Sequence, residues 1–220
     1  MPRLKRLLAE NKGFLLFMLG MFAFRAAVAD WYQVPSGSMY PTLLEGDRVI
    51  ADRLAYDVKL PLTDIVLARL ADPSRGDIVT FSSPEDGTRL VKRIIGIPGD
   101  VVEMRGEELT INGQTAAYAP LTGKIAAQLT PDYAGRQVVL GEKLLGHTRP
   151  IIVMPERPAL RSFGPVTVPA GQYLMLGDNR DNSKDSRYIG FVRRELITGQ
   201  VRRVAFSLDP DHYYAPRLDR

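Results

Sequence analysis

The chain has 220 residues, 45% of them apolar and 25% charged, which is enough for a buried core and too apolar for a disordered segment. It contains no cysteine, which excludes disulfides, zinc–thiolate sites, iron–sulfur clusters and a thiol nucleophile; two histidines, His147 and His212, are too few for a multi-histidine metal centre. The net charge of +4 is concentrated in residues 1–12, where Arg3, Lys5, Arg6 and Lys12 face only Glu10, so the remainder is nearly neutral and offers no basic field to nucleic acid.

Residues 1–12 read as a basic cytoplasmic N-terminus, followed by an apolar run from Gly13 to Phe24, then Arg25, then Ala26 to Ala29. Gly13 to Ala29 would make roughly 25 Å of helix, the short end of a membrane span. Extended through Trp31 and Tyr32, whose amphipathic rings suit the outer interface, it becomes a candidate transmembrane anchor over 13–32. The basic residues before it keep the N-terminus in the cytoplasm and put the body outside. The same residues also fit a secretory signal peptide cut after Ala27-Val28-Ala29. Both readings place the body beyond the membrane.

From residue 33 onward, short alternating or apolar runs are cut by Gly, Pro and Asp, the pattern of a mostly β protein. Strands are predicted over Arg48–Asp52, Asp77–Phe81, Arg89–Ile95, Val101–Met104, Leu109–Ile111, Val166–Val168 and Gln172–Leu176. The Asn112-Gly113 pair is the strongest hairpin signal. Residues 115–165 are Ala-, Pro- and Gly-rich with poor periodicity. They are predicted to form an inserted subdomain between two parts of an antiparallel β core, 33–114 and 166–208, with 209–220 as a polar tail.

Three segments could carry chemistry. Val34-Pro-Ser-Gly-Ser-Met-Tyr-Pro-Thr-Leu43 lies just past the expected outer membrane face, although Ser, Gly and Pro also make an ordinary turn. In Arg89–Ile95, strand alternation puts Lys92 on the face of Leu90 and Ile94 and turns Arg93 away. A lysine on an apolar face loses charge and can act as a general base, which arginine cannot. Gly177-Asp-Asn-Arg-Asp-Asn-Ser-Lys-Asp-Ser-Arg187 fails the calcium-loop spacing and reads from composition as a loop ordered by Asx turns and an Asp185–Arg187 pair.

Together and in this order, these segments resemble bacterial type I signal peptidases, membrane-bound serine proteases that remove signal peptides from exported precursors. Gly46-Asp47, Arg75–Val79 and Lys92–Asp100 extend the resemblance, which runs from about Arg25 to Asp209. It implies a β catalytic core with an inserted second domain, an N-terminal transmembrane helix kept as an anchor, and a single-pass location in the bacterial inner membrane with the catalytic domain outside. It implies Ser38 as nucleophile and Lys92 as general base. The oxyanion would be met by the Ser38 N–H and the Ser36 hydroxyl. Ser183 would orient the lysine, Asp185 and Arg187 would form a supporting salt bridge, and Asp178 and Asn179 would hold the loop. Pockets for small residues at the first and third positions before the cut would draw on Val34, Pro35, Met39, Leu43, Val49, Leu90 and Val91. No cofactor or metal is expected. The expected partners are exported precursors and the lipid bilayer. Ile189, where the family usually has an aromatic, and Arg193, in place of its usual Phe-Val-Pro, depart from the pattern. They leave room for a specialised paralogue that matures pilins or conjugation proteins. From a different class, the alternative is a non-catalytic membrane-tethered β module.

Overall fold

The computed structural model describes residues 29–60, 63, 65–122, 136–209 and 215–216, with parts of 11–21. In chain order the strands are β1 (Ala29–Gln33), β2 (Asp47–Asp52), β3 (Asp57–Lys59), β4 (Val66–Arg69), β5 (Ile78–Ser82), β6 (Arg89–Gly96), β7 (Val101–Arg105), β8 (Glu108–Ile111) and β9 (Gln114–Thr115). They continue with β10 (Ala117–Pro120), β11 (Val138–Leu144), β12 (His147–Val153), β13 (Phe163–Thr167), β14 (Gln172–Leu176), β15 (Val192–Arg193), β16 (Ile197–Asp209) and β17 (Ala215–Pro216). From residue 29 onward, the described helices are the four-residue α1 (Ser186–Ile189) and three single 3-10 turns.

The main sheet runs β1-β2-β16-β5-β6-β14-β15, with β17 on β16, and its pairs are antiparallel. The mostly β, antiparallel reading therefore holds, and every predicted strand is present within a few residues of its expected bounds. Asn112 and Gly113 form the predicted tight turn: both have positive φ, 51° and 79°, and they set Ile111 opposite Gln114. Between β6 and β14 the chain leaves the main sheet. It builds a four-stranded sheet, β13-β7-β8-β9, and a three-stranded one, β10-β11-β12. The four-stranded sheet packs on the main one through a single apolar cluster that joins Ile95, Leu174 and Leu176 to Val102, Met104, Leu109 and Ile111.

The predicted anchor needs one correction. Ala29–Gln33 is not helical but strand β1, paired in full with β2 from Ala29↔Asp52 to Gln33↔Arg48. Trp31 and Tyr32 alternate across an edge strand, and Trp31 stacks edge-on against Phe206 with ring centroids 6.4 Å apart. The adjacent aromatics Trp31 and Tyr32, on a segment that can pair with β2, favour strand over continued helix here. Much of 13–28 lies outside the described residues, and among those described no helix is long and apolar enough to cross a membrane. Residues 1–10 and most of the tail lie outside them as well.

Candidate active site

Ser38 sits in the middle of the 3-10 turn Gly37–Met39, on the loop that leaves β1. The turn stays close to the sheet because Met39 is buried with Val34, Leu43 and Val49 in one apolar cluster. Lys92 lies midway along β6, where the alternation predicted from sequence is realised: Lys92 and Ile94 are buried, and Arg93 turns to the other face. Lys92 Nζ donates to Ser38 Oγ at 2.8 Å and to the Val91 carbonyl at 3.0 Å. Lys92 as a whole is only 3% exposed. Burial lowers its pKa from the ordinary value to about 8, while the Asp185 and Asp178 carboxylates pull the other way. Each of these carboxylates has its own guanidinium. Asp178 takes two bonds from Arg93, at 2.8 and 2.6 Å, and Asp185 takes two from Arg187, both at 2.8 Å. Their pull on Lys92 is thereby weakened, and burial prevails.

The loop between β14 and α1 holds the Ser38 turn from behind. Asn179 donates its backbone N–H to the Ser38 carbonyl at 3.1 Å and its side-chain amide to the Gly37 carbonyl at 3.0 Å. Asp178 accepts from Thr42 Oγ1, and Arg93 also donates to the Gly76 carbonyl. Asp185 caps α1 and accepts from the Gly177 N–H at 3.0 Å. Ser36 Oγ stands 3.4 Å from Ser38 Oγ on the exposed rim, too far for a strong bond and close enough to share a ligand. Ser183 is brought into the site, since a Cβ at Gly177 would fall 2.2 Å from Ser183 Oγ and 2.6 Å from the Ser38 carbonyl. Its hydroxyl is buried with no hydrogen-bond partner, so the bond to Lys92 implied by the resemblance is not made in this conformation.

A cleft of about 120 Å³ opens beside the pair, between the Tyr32–Met39 segment and the first half of β6. Of the residues expected to shape the pockets, Val34, Pro35, Met39, Leu90 and Val91 line it. Leu43 and Val49 lie behind that lining, in the cluster under Val34 and Met39. A larger cavity of about 390 Å³ lies at the β7–β8 turn, among Glu107, Tyr118, Arg161 and Asp181, but it has no nucleophile beside a base. Sequence reasoning missed Thr42 and gave Arg93 only as the residue facing away from Lys92. Alternation supplied that direction, but no spacing rule connects Arg93 with Asp178, 85 residues later. Among the described residues no cluster of His, Cys, Asp or Glu could hold a metal ion.

A serine hydroxyl 2.8 Å from a buried amine, beside an open cleft, is the kind of arrangement that hydrolases of the serine-peptidase class use. Residues 8–206 match the family of signal peptidases, peptidase S26, and the chain belongs to that family. It is 34% identical to the signal peptidase I of Pseudomonas fluorescens and 36% identical to that of Pseudomonas aeruginosa. Each alignment covers 97% of this chain and 78% of the relative. A crystal structure of a signal peptidase I from Enterococcus faecalis aligns with a TM-score of 0.37 at 33% identity, covering 60% of this chain and 99% of that one. The activity is that of a serine endopeptidase that removes signal peptides from exported precursors.

Proposed function

We propose that Ser38 and Lys92 form the catalytic dyad, and the observation that carries the reading is the 2.8 Å contact between a serine hydroxyl and a buried amine. In the neutral amine the hydrogen bond runs the other way, with the Ser38 O–H donating to the Nζ lone pair. As Oγ bonds to the scissile carbonyl carbon, its proton passes to Nζ. The oxyanion collapses, the C–N bond breaks, and the ammonium returns a proton to the leaving amine. A water then gives its proton to Lys92 and attacks the acyl ester, and the ammonium returns that proton to Oγ as the ester bond breaks, which releases Ser38.

The Gly37–Ser38 peptide is planar, so its C=O and N–H point in opposite directions. Asn179 fixes the carbonyl, which sets the Ser38 N–H as one oxyanion donor. The Ser36 hydroxyl is the second, and losing one such donor costs about 3–4 kcal/mol of transition-state stabilisation. A neutral Lys92 has two N–H bonds to place; one goes to Val91, and a small rotation of Ser183 lets its partnerless hydroxyl accept the other. The substrate runs as an extended strand along β6, with small side chains in the cleft lined by Val34, Met39, Leu90 and Val91. This gives cleavage after small residues of the A-x-A type. The apolar stretch within 13–28 anchors the enzyme in the bacterial inner membrane as a single pass, with the catalytic domain outside.

The test is incubation of purified protein in detergent with an exported precursor, followed by mapping of the cut. Cleavage after a small residue by the wild type, and none by Ser38→Ala, is the expected result. Equal cleavage by both would dismiss the dyad.

A further inference from the structure

The cleft beside Ser38 lies between two strand edges that the sheet leaves open. β1 ends the main sheet, and β14 pairs with β6 at Arg93, Ile94 and Gly96, so among the described residues no strand lies beside that edge of Arg89–Lys92. The segment from Tyr32 to Ser36 makes one wall of the cleft, and Arg89 to Lys92 make the other. At the end away from Lys92 the two walls are joined. Arg89 on β6 donates to Tyr32 Oη on β1 at 2.6 Å, and its guanidinium carbon stands 5.0 Å from the centre of the Tyr32 ring. Tyr32 Oη donates in turn to Asp30 at 2.7 Å, and the same carboxylate faces Arg89 and Arg53, each at 3.8 Å. One carboxylate against two guanidiniums leaves this cluster with one positive charge. Burial and the bond to Asp30 push the Tyr32 hydroxyl up to about 12, so it adds no negative charge at neutral pH. The Arg89 side chain is 45% exposed and that of Arg53 only 17%, and Arg89 alone of the two lines the cleft.

We infer that Arg89 is a specificity determinant that reads the charge of the fourth residue before the cut, favouring an acidic side chain there and opposing a basic one. The inference rests on the substrate path proposed above. With the first residue before the cut held at Ser38 and Lys92, each further residue of an extended chain advances about 3.3 Å. Arg89 stands three residues before Lys92, about 10 Å along the strand, and so lies level with the fourth. Small first and third side chains enter the cleft, and alternation turns the second and fourth toward its open side. Because Arg89 and Tyr32 bridge the walls, a chain leaving the cleft crosses the guanidinium at contact distance. The arginine stem is long enough to swing its head from the tyrosine ring to a carboxylate without any movement of β6. A lysine at the same place meets a positive cluster with its one carboxylate already engaged.

The test uses the full chain in detergent and a set of peptides with one A-x-A site, which differ only in carrying glutamate, glutamine or lysine at the fourth position before the cut. For the wild type, kcat/KM for the glutamate peptide should exceed that for the lysine peptide about tenfold, mostly through KM. The ratio should shrink in about 1 M salt, because the charges meet at an exposed rim. Arg89→Gln should bring the ratio near one, Arg89→Glu should invert it, and Arg89→Lys should keep most of it. Moving the glutamate or lysine to the second position should leave little preference. A wild-type ratio near one, with cutting at the A-x-A site, would overturn the role of Arg89 and leave the dyad standing. A loss shared equally by all the peptides in the Arg89 variants, with the ratio unchanged, would make the residue a support for Tyr32 and overturn the inference. So would an equal preference at the second position, which would belong to the general field of the protein and not to Arg89. No cutting after the small residue by the wild type on any peptide would overturn the proposed function itself.

Discussion

Lys92 is held where its charge is unwelcome, and this has two measurable consequences. Lowering an amine from its usual value near 10.5 to about 8 means the folded state binds fewer protons than the unfolded state between those pH values. Stability therefore rises with pH across that window, and below it the buried amine costs the fold about 3 kcal/mol. Lys92→Met should unfold at higher denaturant concentration than the wild type at pH 7, while cutting nothing. Activity depends on the neutral amine, so kcat/KM should climb through pH 7 to 9 and level off above the lysine's pKa. Lys92→Arg keeps the charge and removes the base, so precursor cleavage should fall about 10²–10⁴-fold. An arginine variant cutting at near wild-type rate would mean that the base lies elsewhere. Asn179 offers a second test at this scale. With Asn179→Ala the Gly37 carbonyl loses its side-chain donor, and kcat should drop roughly 100-fold with KM little changed, the mark of a misaimed oxyanion donor. Lys92 was legible in the sequence because alternation alone puts it with Leu90 and Ile94. The Arg93–Asp178 pair was not, since it joins a strand to a distant loop.

The loop 177–187 is shaped by the elements around it, and chiefly by the hairpin β11–β12. Ile152 in β12 donates its N–H to the Asp178 carbonyl at 2.9 Å, and the Met154 N–H reaches Asp181 at 2.6 Å. Arg180, fully buried beside Asn179, ion-pairs with Glu142 in β11 at 2.8 Å, and Arg149 in β12 donates to the same carboxylate. Glu142→Gln would leave two buried guanidinium groups short of a counter-charge. A loss of about 3–5 kcal/mol in urea unfolding is expected, with cleavage impaired at pH values where the protein is still folded. The same burial explains why β11 and β12 were read as aperiodic insertion: Glu142 and Arg149 occupy core positions, where a sequence pattern expects apolar residues. Strand β16 was hidden for another reason. Its register against β2 slips at Arg202 and Ala205, so Val201 and Val204 share one cluster at a spacing of three instead of two. Gly177, by contrast, is a glycine with a visible purpose. A methyl group there meets both Ser183 and the Ser38 carbonyl, and Gly177→Ala should abolish cleavage by pushing the nucleophile turn off its seat.

At the scale of the whole molecule, keeping the N-terminal segment as an anchor would require the enzyme to leave it uncut although Ala27-Val28-Ala29 has the form of a substrate. Strand β1 supplies a physical reason. The Ala29–Asp30 bond lies within a strand whose five residues all pair with β2. Asp30 accepts from the Tyr32 hydroxyl at 2.7 Å, and Arg89 in β6 donates to that hydroxyl at 2.6 Å. To enter a catalytic cleft, in cis or in trans, the strand would have to be stripped from the sheet. With it would go the lead-in to Val34, Pro35 and the Ser38 turn that the sheet positions. The enzyme that could make the cut loses its own geometry in presenting the site, and a second copy meets a folded edge rather than an extended peptide. Retention of the segment is therefore expected, and mass spectrometry of protein recovered from membranes should find chains that still include residues 13–29. The comparison that isolates the cause is Tyr32→Pro, which removes a strand N–H and loosens β1 while leaving the Ala29–Asp30 bond chemically unchanged. Partial cleavage after Ala29 in that variant, and none in the wild type, would tie retention to the strand. A wild-type protein recovered with Asp30 as its first residue and active in the soluble fraction would show that β1 does not shield the bond.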